Sequence, residues 1–455
     1  MKLLKLLLVY LILGNSLAIS AQFQAVSFDF AAHAQSFQLN PGVDYAYQRE
    51  LGIPLLNNIQ LFAGNTGFSL YDLFAPNGSF DDKVYQSVKK LKNTDFLLIN
   101  NRIDLFSYGY KDDLERFKYF GLYWEFDHFT NIPADLIRLG FEGNAPHLFE
   151  KYDAKYLASK TEFIQSIYYG VNKKANRYLS VGYRFKLYSG IANAQSTGNS
   201  GTFYTNSGQN NYYVHHLENI DLSAQSSGFN ESYSTNNYLQ KFLFSGNYGA
   251  GIDLGINYRL SEKLQLSASL LDLGFIYYTS DINAYQIKGN YDFEGVNMQF
   301  PETGFIDYWE HIKQTFDTEI ERGENKKSYI SYRPTTVYTS LKYALGDLRH
   351  QNCEDFMNLK NAYNSFFGLT GFAQYRPVKV HLGISAFYEQ KWSKYFYSKL
   401  NYSIDNFSYS SIGLGLVANI GRLQLYVSAD NLLGLSDVSK SRKQAIQVGV
   451  NLIKF

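Results

Sequence analysis

Apolar and polar side chains alternate strictly over stretches of about ten residues, repeatedly along the chain, which is the period of a β-strand with two unlike faces. Leu179, Val181, Tyr183, Phe185 and Leu187 share one face, and Ser180, Gly182, Arg184 and Lys186 the other. Ile252, Leu254, Ile256, Tyr258 and Leu260 stand opposite Asp253, Asn257 and Arg259. After the turn Ser261-Glu262-Lys263 the pattern resumes at Leu264, Leu266, Ala268 and Leu270. Phe120, Leu122, Trp124 and Phe126 alternate with Tyr119, Gly121, Tyr123 and Glu125. Ile412, Leu414, Leu416, Ala418 and Ile420 lead across Gly421-Arg422 to Leu423, Leu425, Val427 and Ala429. Charges fall on one face only. A charged side chain turned to lipid at mid-depth costs roughly 2–4 kcal/mol, so the uncharged face is the one that meets lipid.

The pattern predicts an all-β fold, a transmembrane antiparallel β-barrel of about fourteen strands, the even number that leaves both chain ends in the periplasm. The strands are expected near 50–62, 98–109, 117–127, 162–172, 177–190, 247–260, 264–277, 335–345, 365–376, 379–390, 394–403, 409–420, 423–430 and 444–455. Pro54 interrupts the first, because proline cannot donate to the ladder. Short periplasmic turns fall at Lys111–Arg116, Asn172–Asn176, Ser261–Lys263, Lys391–Ser393 and Gly421–Arg422; Gly346 to Asn364 is a long exception on that side. The long connections, 63–97, 128–161, 191–246 and 278–334, then lie outside, the third with room for strand extensions. In the fourth, Phe305, Trp309, Ile312, Phe316 and Ile320 recur every three or four residues and predict a helix over 303–321, either packed on its own loop or rim or else binding a partner or capping the lumen.

The ends sharpen this reading. Lys2 to Leu13 is a basic pair with an apolar run, followed by Ser16, Ala18 and Ala21, the form of a secretory signal peptide over 1–21. The remaining 22–455 reads as a single barrel that ends in Phe455, an aromatic expected to act as the barrel-assembly signal. A soluble β-sandwich would alternate too, but it does not account for the leader, the terminal aromatic and the long strands together. The chain carries 40 Tyr and 35 Phe among 455 residues, with a formal net charge of +1, so no nucleic-acid partner is expected. No run after the leader reaches the about 20 apolar residues of a membrane-spanning helix. Cys353, the single cysteine, has no internal partner for a disulfide.

Residues 22–45 contain Phe23, Phe28, Phe30 and Phe37, no Lys or Arg, and the Asn40-Pro41 turn. Each phenylalanine gains about 1.5–3 kcal/mol on burial, so the segment is expected to fold into the lumen and obstruct it. The inward set Arg184, Lys186, Asp253, Arg259, Lys342, Lys379 and Glu389 is expected to form a mutually neutralising network, with a selectivity lining as the lesser reading. Tyr119, Tyr123, Tyr188, Tyr338 and Tyr426 also point inward and favour a filled lumen. Catalytic, cofactor and metal sites are not expected: His215-His216 have no carboxylate or cysteine at ligand spacing, and Gly383-Ile384-Ser385-Ala386-Phe387 lacks the second glycine of a nucleophile elbow.

Leu39-Asn40-Pro41-Gly42 resembles the Asn-Pro-Ala segment of barrels related to long-chain fatty-acid transporters, a group that includes the PorV-type shuttle barrel of type IX secretion. Gly52-Ile53-Pro54, Asn65-Thr66-Gly67-Phe68-Ser69, Tyr71-Asp72-Leu73, Leu271-Asp272-Leu273-Gly274-Phe275-Ile276, Asp430-Asn431-Leu432-Leu433-Gly434 and Gly449-Val450-Asn451-Leu452 are similar to an uncharacterised family of Bacteroidota outer-membrane proteins. The resemblance implies a fourteen-stranded barrel with its N-terminal segment in the lumen. Gly42 stands where that group usually has Ala. Phe455 falls out of phase with Ile446, Val448, Val450 and Leu452, so a bulge near Ile453-Lys454 is expected. The functional expectation is a non-enzymatic accessory subunit of an envelope machine, either outer-membrane protein assembly or type IX secretion. The alternative is an uptake channel for hydrophobic solutes. Expected partners are outer-membrane lipid and lipopolysaccharide, the barrel assembly machinery, and other envelope proteins or lipoproteins.

Overall fold

The computed structural model describes residues 25–30, 34–45, 47–209, 212–229, 245–294, 320–346 and 363–454. The leader, Phe23, Cys353, Phe455 and the helix expected over 303–319 lie outside these residues, whereas Ile320–Asn325, at the end of that expected helix, is strand.

Fourteen antiparallel strands close into a barrel. They are β1 (Arg49–Gly52 and Ile59–Asn65), β2 (Asp95–Lys111), β3 (Phe117–Ile132), β4 (Ser159–Lys174), β5 (Leu179–Ser196), β6 (Tyr248–Arg259) and β7 (Leu264–Tyr278). They continue with β8 (Tyr329–Tyr332 and Thr336–Leu345), β9 (Ser365–Gln374), β10 (His381–Lys391), β11 (Phe396–Asp405), β12 (Ser411–Ile420), β13 (Leu423–Ala429) and β14 (Lys443–Lys454). The wall closes where β1 pairs with both β14 and β2, for example Leu51↔Leu452 and Leu51↔Tyr108. Closure leaves no unpaired edge in lipid, where unmet backbone groups cost several kcal/mol each.

The alternation maps onto the two sides of the wall as the sequence implies. On β5, Phe185 and Leu187 are exposed outward at 54% and 65%, whereas Arg184 and Lys186 are buried inward. Leu254, Ile256 and Tyr258 are exposed opposite buried Asp253 and Asn257. An exposed apolar belt running around a whole molecule is a membrane face rather than a solvent face. Tight turns join the strands at one end. At the other the chain makes helices Leu70–Phe74, Phe80–Lys90 and Ala134–Glu142, and a long hairpin of Ser200–Ser207 with Tyr213–Ser227. By the usual asymmetry of such barrels the long-loop end is the exterior.

Two departures from regular pairing matter. Pro54 does interrupt β1, and the interruption is larger than one lost hydrogen bond: seven steps from Gly52 to Ile59 face three steps from Asn451 to Val448 and four from Ser107 to Ile103. The extra residues make a turn closed by Leu56 N donating to Ile53 O at 3.0 Å, with Leu55 at φ 65°. This is the geometry of a turn with proline second and a left-handed third residue. Leu55 and Leu56 project outward, and Asn57 and Asn58 turn inward and are buried. The second departure corrects an expectation: β14 stays in register to Ile453↔Glu50 and Lys454↔Arg49, so no bulge occurs through Lys454.

Candidate functional site: a filled lumen beneath an exterior vestibule

Residues 25–30 and 34–45 lie inside the barrel and are almost wholly buried. Phe28 stacks on Tyr338 with ring centroids 4.9 Å apart, Phe37 packs on Tyr119 at 4.2 Å, and Phe30 sits with Val417 and Tyr426. Polar contacts are at least as numerous. Lys399 Nζ donates to Phe28 O at 2.6 Å, Ser27 Oγ to Gln447 at 2.7 Å, and Ser269 Oγ to Leu39 O at 2.6 Å.

Asn40-Pro41-Gly42 is seated against the wall. Asn40 accepts from Gly42 N at 2.8 Å and donates to Ile256 O at 3.1 Å. Asn172 Nδ2 donates to both Pro41 O and Val43 O, at 2.7 and 3.0 Å. Opposite this turn stand Gly182 of β5 and Gly255 of β6, where an added Cβ would run into Pro41 O and the Asn40 side chain. Gly42 meets the Gly255 backbone in the same way, so the close approach leaves no room for a Cβ at this position.

The expected charge network exists but has other members. Asp253 binds Arg184 Nε at 2.5 Å and Lys186 at 3.0 Å, and Lys186 also reaches Asp272 at 2.7 Å. Lys342 binds Glu389 at 2.8 Å and lies 3.5 Å from Asp29 of the luminal segment. Arg333, in the kink of β8, joins Glu125 at 2.8 Å to Glu162, and Arg376 pairs with Asp127. Two expected members sit at the ends of the wall: Arg259 bonds the turn carbonyls Ser261 O and Glu262 O and lines a small cavity with Asp44 of the luminal segment, and Lys379 lies on the exterior rim. Burying such ions is tolerable only in pairs: breaking one leaves the other uncompensated, at about 3–5 kcal/mol.

The luminal segment also reaches the break in β1. Gln38 accepts from Asn58 Nδ2 at 3.0 Å and donates to Asp104 of β2, beside the register shift between Asp104 and Phe106. Asn58 Oδ1 is held from the other side by Tyr426 Oη at 2.9 Å and Gln447 Nε2 at 2.8 Å. One side chain of the segment therefore ties the break in β1 to the neighbouring strand β2.

At the exterior mouth the lining changes character. Phe62, Phe96, Leu98, Phe129 and Phe407 form a buried aromatic cluster, with His381 edge-on to Phe372 and Phe407 at 5.0 and 4.9 Å. Next to it is a cavity of about 1030 Å³. Phe372, Gly383 and Phe407 line it on the inner side, and the outward-facing Val337, Leu382, Ile384 and Ile404 on the other. It therefore straddles the low rim made by the short connections after β9 and β11. Above, His147 of the exterior loops lies 2.7 Å from Glu142 and 3.2 Å from Glu150. The bond to Glu142 raises the imidazole's pKa and lowers that of the Glu142 carboxyl. His215 and His216 sit on the exterior hairpin, bonded to Thr205 and Asp292; among the described residues no cluster of three His, Cys, Asp or Glu could hold a metal.

Fold and lumen together define the chain as a closed transmembrane β-barrel whose own N-terminal segment occupies the interior. It belongs to the family of unknown function DUF5723, whose family profile matches residues 41–430. No curated protein matches it. Among solved structures it is similar to a FadL homologue of Pseudomonas aeruginosa, with 8% identity over 96% of this chain and 100% of that one and a TM-score of 0.46. The Ralstonia pickettii toluene transporter TbuX shows 8% identity over 96% and 97%, with a TM-score of 0.43. The Pseudomonas putida toluene transporter TodX shows 10% identity over 95% of both chains, with a TM-score of 0.38.

Proposed function

We propose that the protein is a non-enzymatic uptake channel of the bacterial outer membrane for hydrophobic solutes. The observation that carries this is the cavity of about 1030 Å³, floored by Phe372 and Phe407 and continued outward by Leu382, Ile384 and Ile404. A pocket with an apolar outward wall, open to both the exterior and the lipid face, suits capture of a solute that partitions into membranes. The filled lumen expected of a scaffold is equally what a closed channel needs, so it does not favour the scaffold. The path inward passes the luminal segment, and the break at β1, latched by Gln38, is its natural sideways outlet. In this reading the surroundings are outer-membrane lipid and lipopolysaccharide, and the barrel assembly machinery inserts the chain.

The test is accumulation of a neutral fluorescent hydrocarbon probe in proteoliposomes. Gly371 lies outward in the cavity wall, with Thr339 Oγ1 as the one atom near an added Cβ, at 3.4 Å, so Gly371→Trp should fill the pocket without disturbing the lumen. Wild-type uptake that falls in Gly371→Trp supports the channel. No uptake above empty vesicles, together with stoichiometric envelope partners on purification from native membranes, would return the accessory-subunit reading.

A further inference from the structure

The same cavity has a second, polar end. Lys90, Lys92, Lys379 and Arg442 line it at the exterior rim, and among the described residues none of them lies within ion-pair distance of a carboxylate. Arg442 makes one long bond, from Nη1 to Thr66 O at 3.4 Å. The acids in the lining are turned elsewhere. Asp95 accepts from Thr66 Oγ1 at 2.9 Å and from Lys92 N at 2.8 Å, and Asp405 is bound by Lys443 and by the amides of Phe407 and Ser408. Asp72 feels Lys90 and Arg442, but it is committed to capping helix Leu70–Phe74 through Ser69. Four cations thus line the same cavity as the apolar, outward-facing side chains of the wall.

We propose that this cavity binds an amphiphile with a phosphate headgroup, its acyl tail lying along the wall. This rests on the uptake reading and names the class of solute. Lys379 stands three residues before the outward-facing Leu382, at the rim of the same cavity. A tail can lie in the trough over Gly371 and Ala373, whose small side chains leave space between Val337, Leu382 and Ile384. Phosphate is favoured over carboxylate because it carries up to two charges and three outer oxygens. That suits one planar guanidinium and several flexible ammonium groups converging from different loops. No group in the site is placed to cut or transfer the phosphate, so the event is binding alone.

The experiment is native mass spectrometry of the full-length protein in a non-ionic detergent, with dodecyl phosphate, laurate, dodecanol and inorganic phosphate as separate probes. Dodecyl phosphate should be retained about tenfold more tightly than dodecanol, the factor that one charge-assisted contact of about 1.4 kcal/mol supplies, with laurate between them. In Lys379→Gln/Arg442→Gln, checked for normal heat-modifiable mobility, that preference should fall to near parity. Equal retention of dodecyl phosphate and dodecanol by the wild type would overturn the headgroup assignment and leave the channel standing. Full displacement of dodecyl phosphate by equimolar inorganic phosphate would overturn the amphiphile and make this a free-phosphate site. Phosphate-selective binding without any hydrocarbon flux would remove the channel reading and, with it, the role of this ligand as a solute.

Discussion

Gly182 and Pro41 touch backbone to backbone: a Cβ on Gly182 would overlap the Pro41 carbonyl oxygen. The pair holds the luminal segment flush against the wall, and Asn172 clamps that carbonyl at 2.7 Å. Gly182→Leu should therefore displace the Asn-Pro-Gly turn, with an overpacking cost of about 1–3 kcal/mol. Planar-bilayer recording should show raised, fluctuating conductance in the variant against little in the wild type. Large, steady conductance from the intact wild type would mean that the segment does not obstruct the lumen, as would unchanged conductance after deletion of residues 23–38.

Outward positions on the wall should refuse charge. Leu254→Arg and Leu414→Arg each place a cation in the belt, at roughly 2–4 kcal/mol at mid-depth, and should sharply reduce folded barrel in the membrane. Asn257→Ala and Asn419→Ala, at buried inward positions, should assemble nearly normally. Heat-modifiable mobility after membrane fractionation measures both; equal tolerance would refute the assigned faces.

Arg333→Met should be among the costliest single changes in the lumen. It leaves Glu125 and Glu162 buried without their shared cation, at about 3–5 kcal/mol. Urea unfolding in detergent should register the loss. Arg333→Met with Glu125→Gln should recover part of it, because Glu125 is then neutral and Glu162 keeps Lys160 at 3.7 Å.

The exterior loop at His147 should respond to pH. Its imidazole pKa is raised by Glu142 and then Glu150, so the contribution of the cationic form is complete below the ordinary histidine value of about 6.5 and disappears as pH rises through the raised one. Glu142 is held below its usual value by the same bond, so its contribution is complete above about 4.3 and is lost as pH falls through the lowered one. The clamp should be firmest between those limits. Protection of the amides of residues 142–150, relative to their intrinsic exchange at each pH, should be greatest in mildly acid medium and smaller above neutrality, and His147→Gln should abolish that difference.

Strand order and facing were open to reading from the sequence because both are local: a period of two and short turns specify them wherever one face meets lipid. Pro54 likewise marked the break in β1, since a proline's missing N–H is visible in one letter. The membership of the lumen was not. Arg333 and Glu162 are separated by 171 positions, and the glycines facing Asn40-Pro41-Gly42 come from two strands chosen by barrel curvature. Arg259 and Lys379 carry the polar period yet lie at opposite ends of the wall, because alternation tells the side of the wall but not the height along it. Height also hides the cavity from the sequence, since its lining combines both faces of several strands at the rim.

Gln38 touches Asn58 in the extruded part of β1 and Asp104 in the shifted part of β2. In the channel reading proposed above, the segment that fills the bore would also be the tie between β1 and β2, so a pull that drew Gln38 out of the lumen would remove that tie in the same movement.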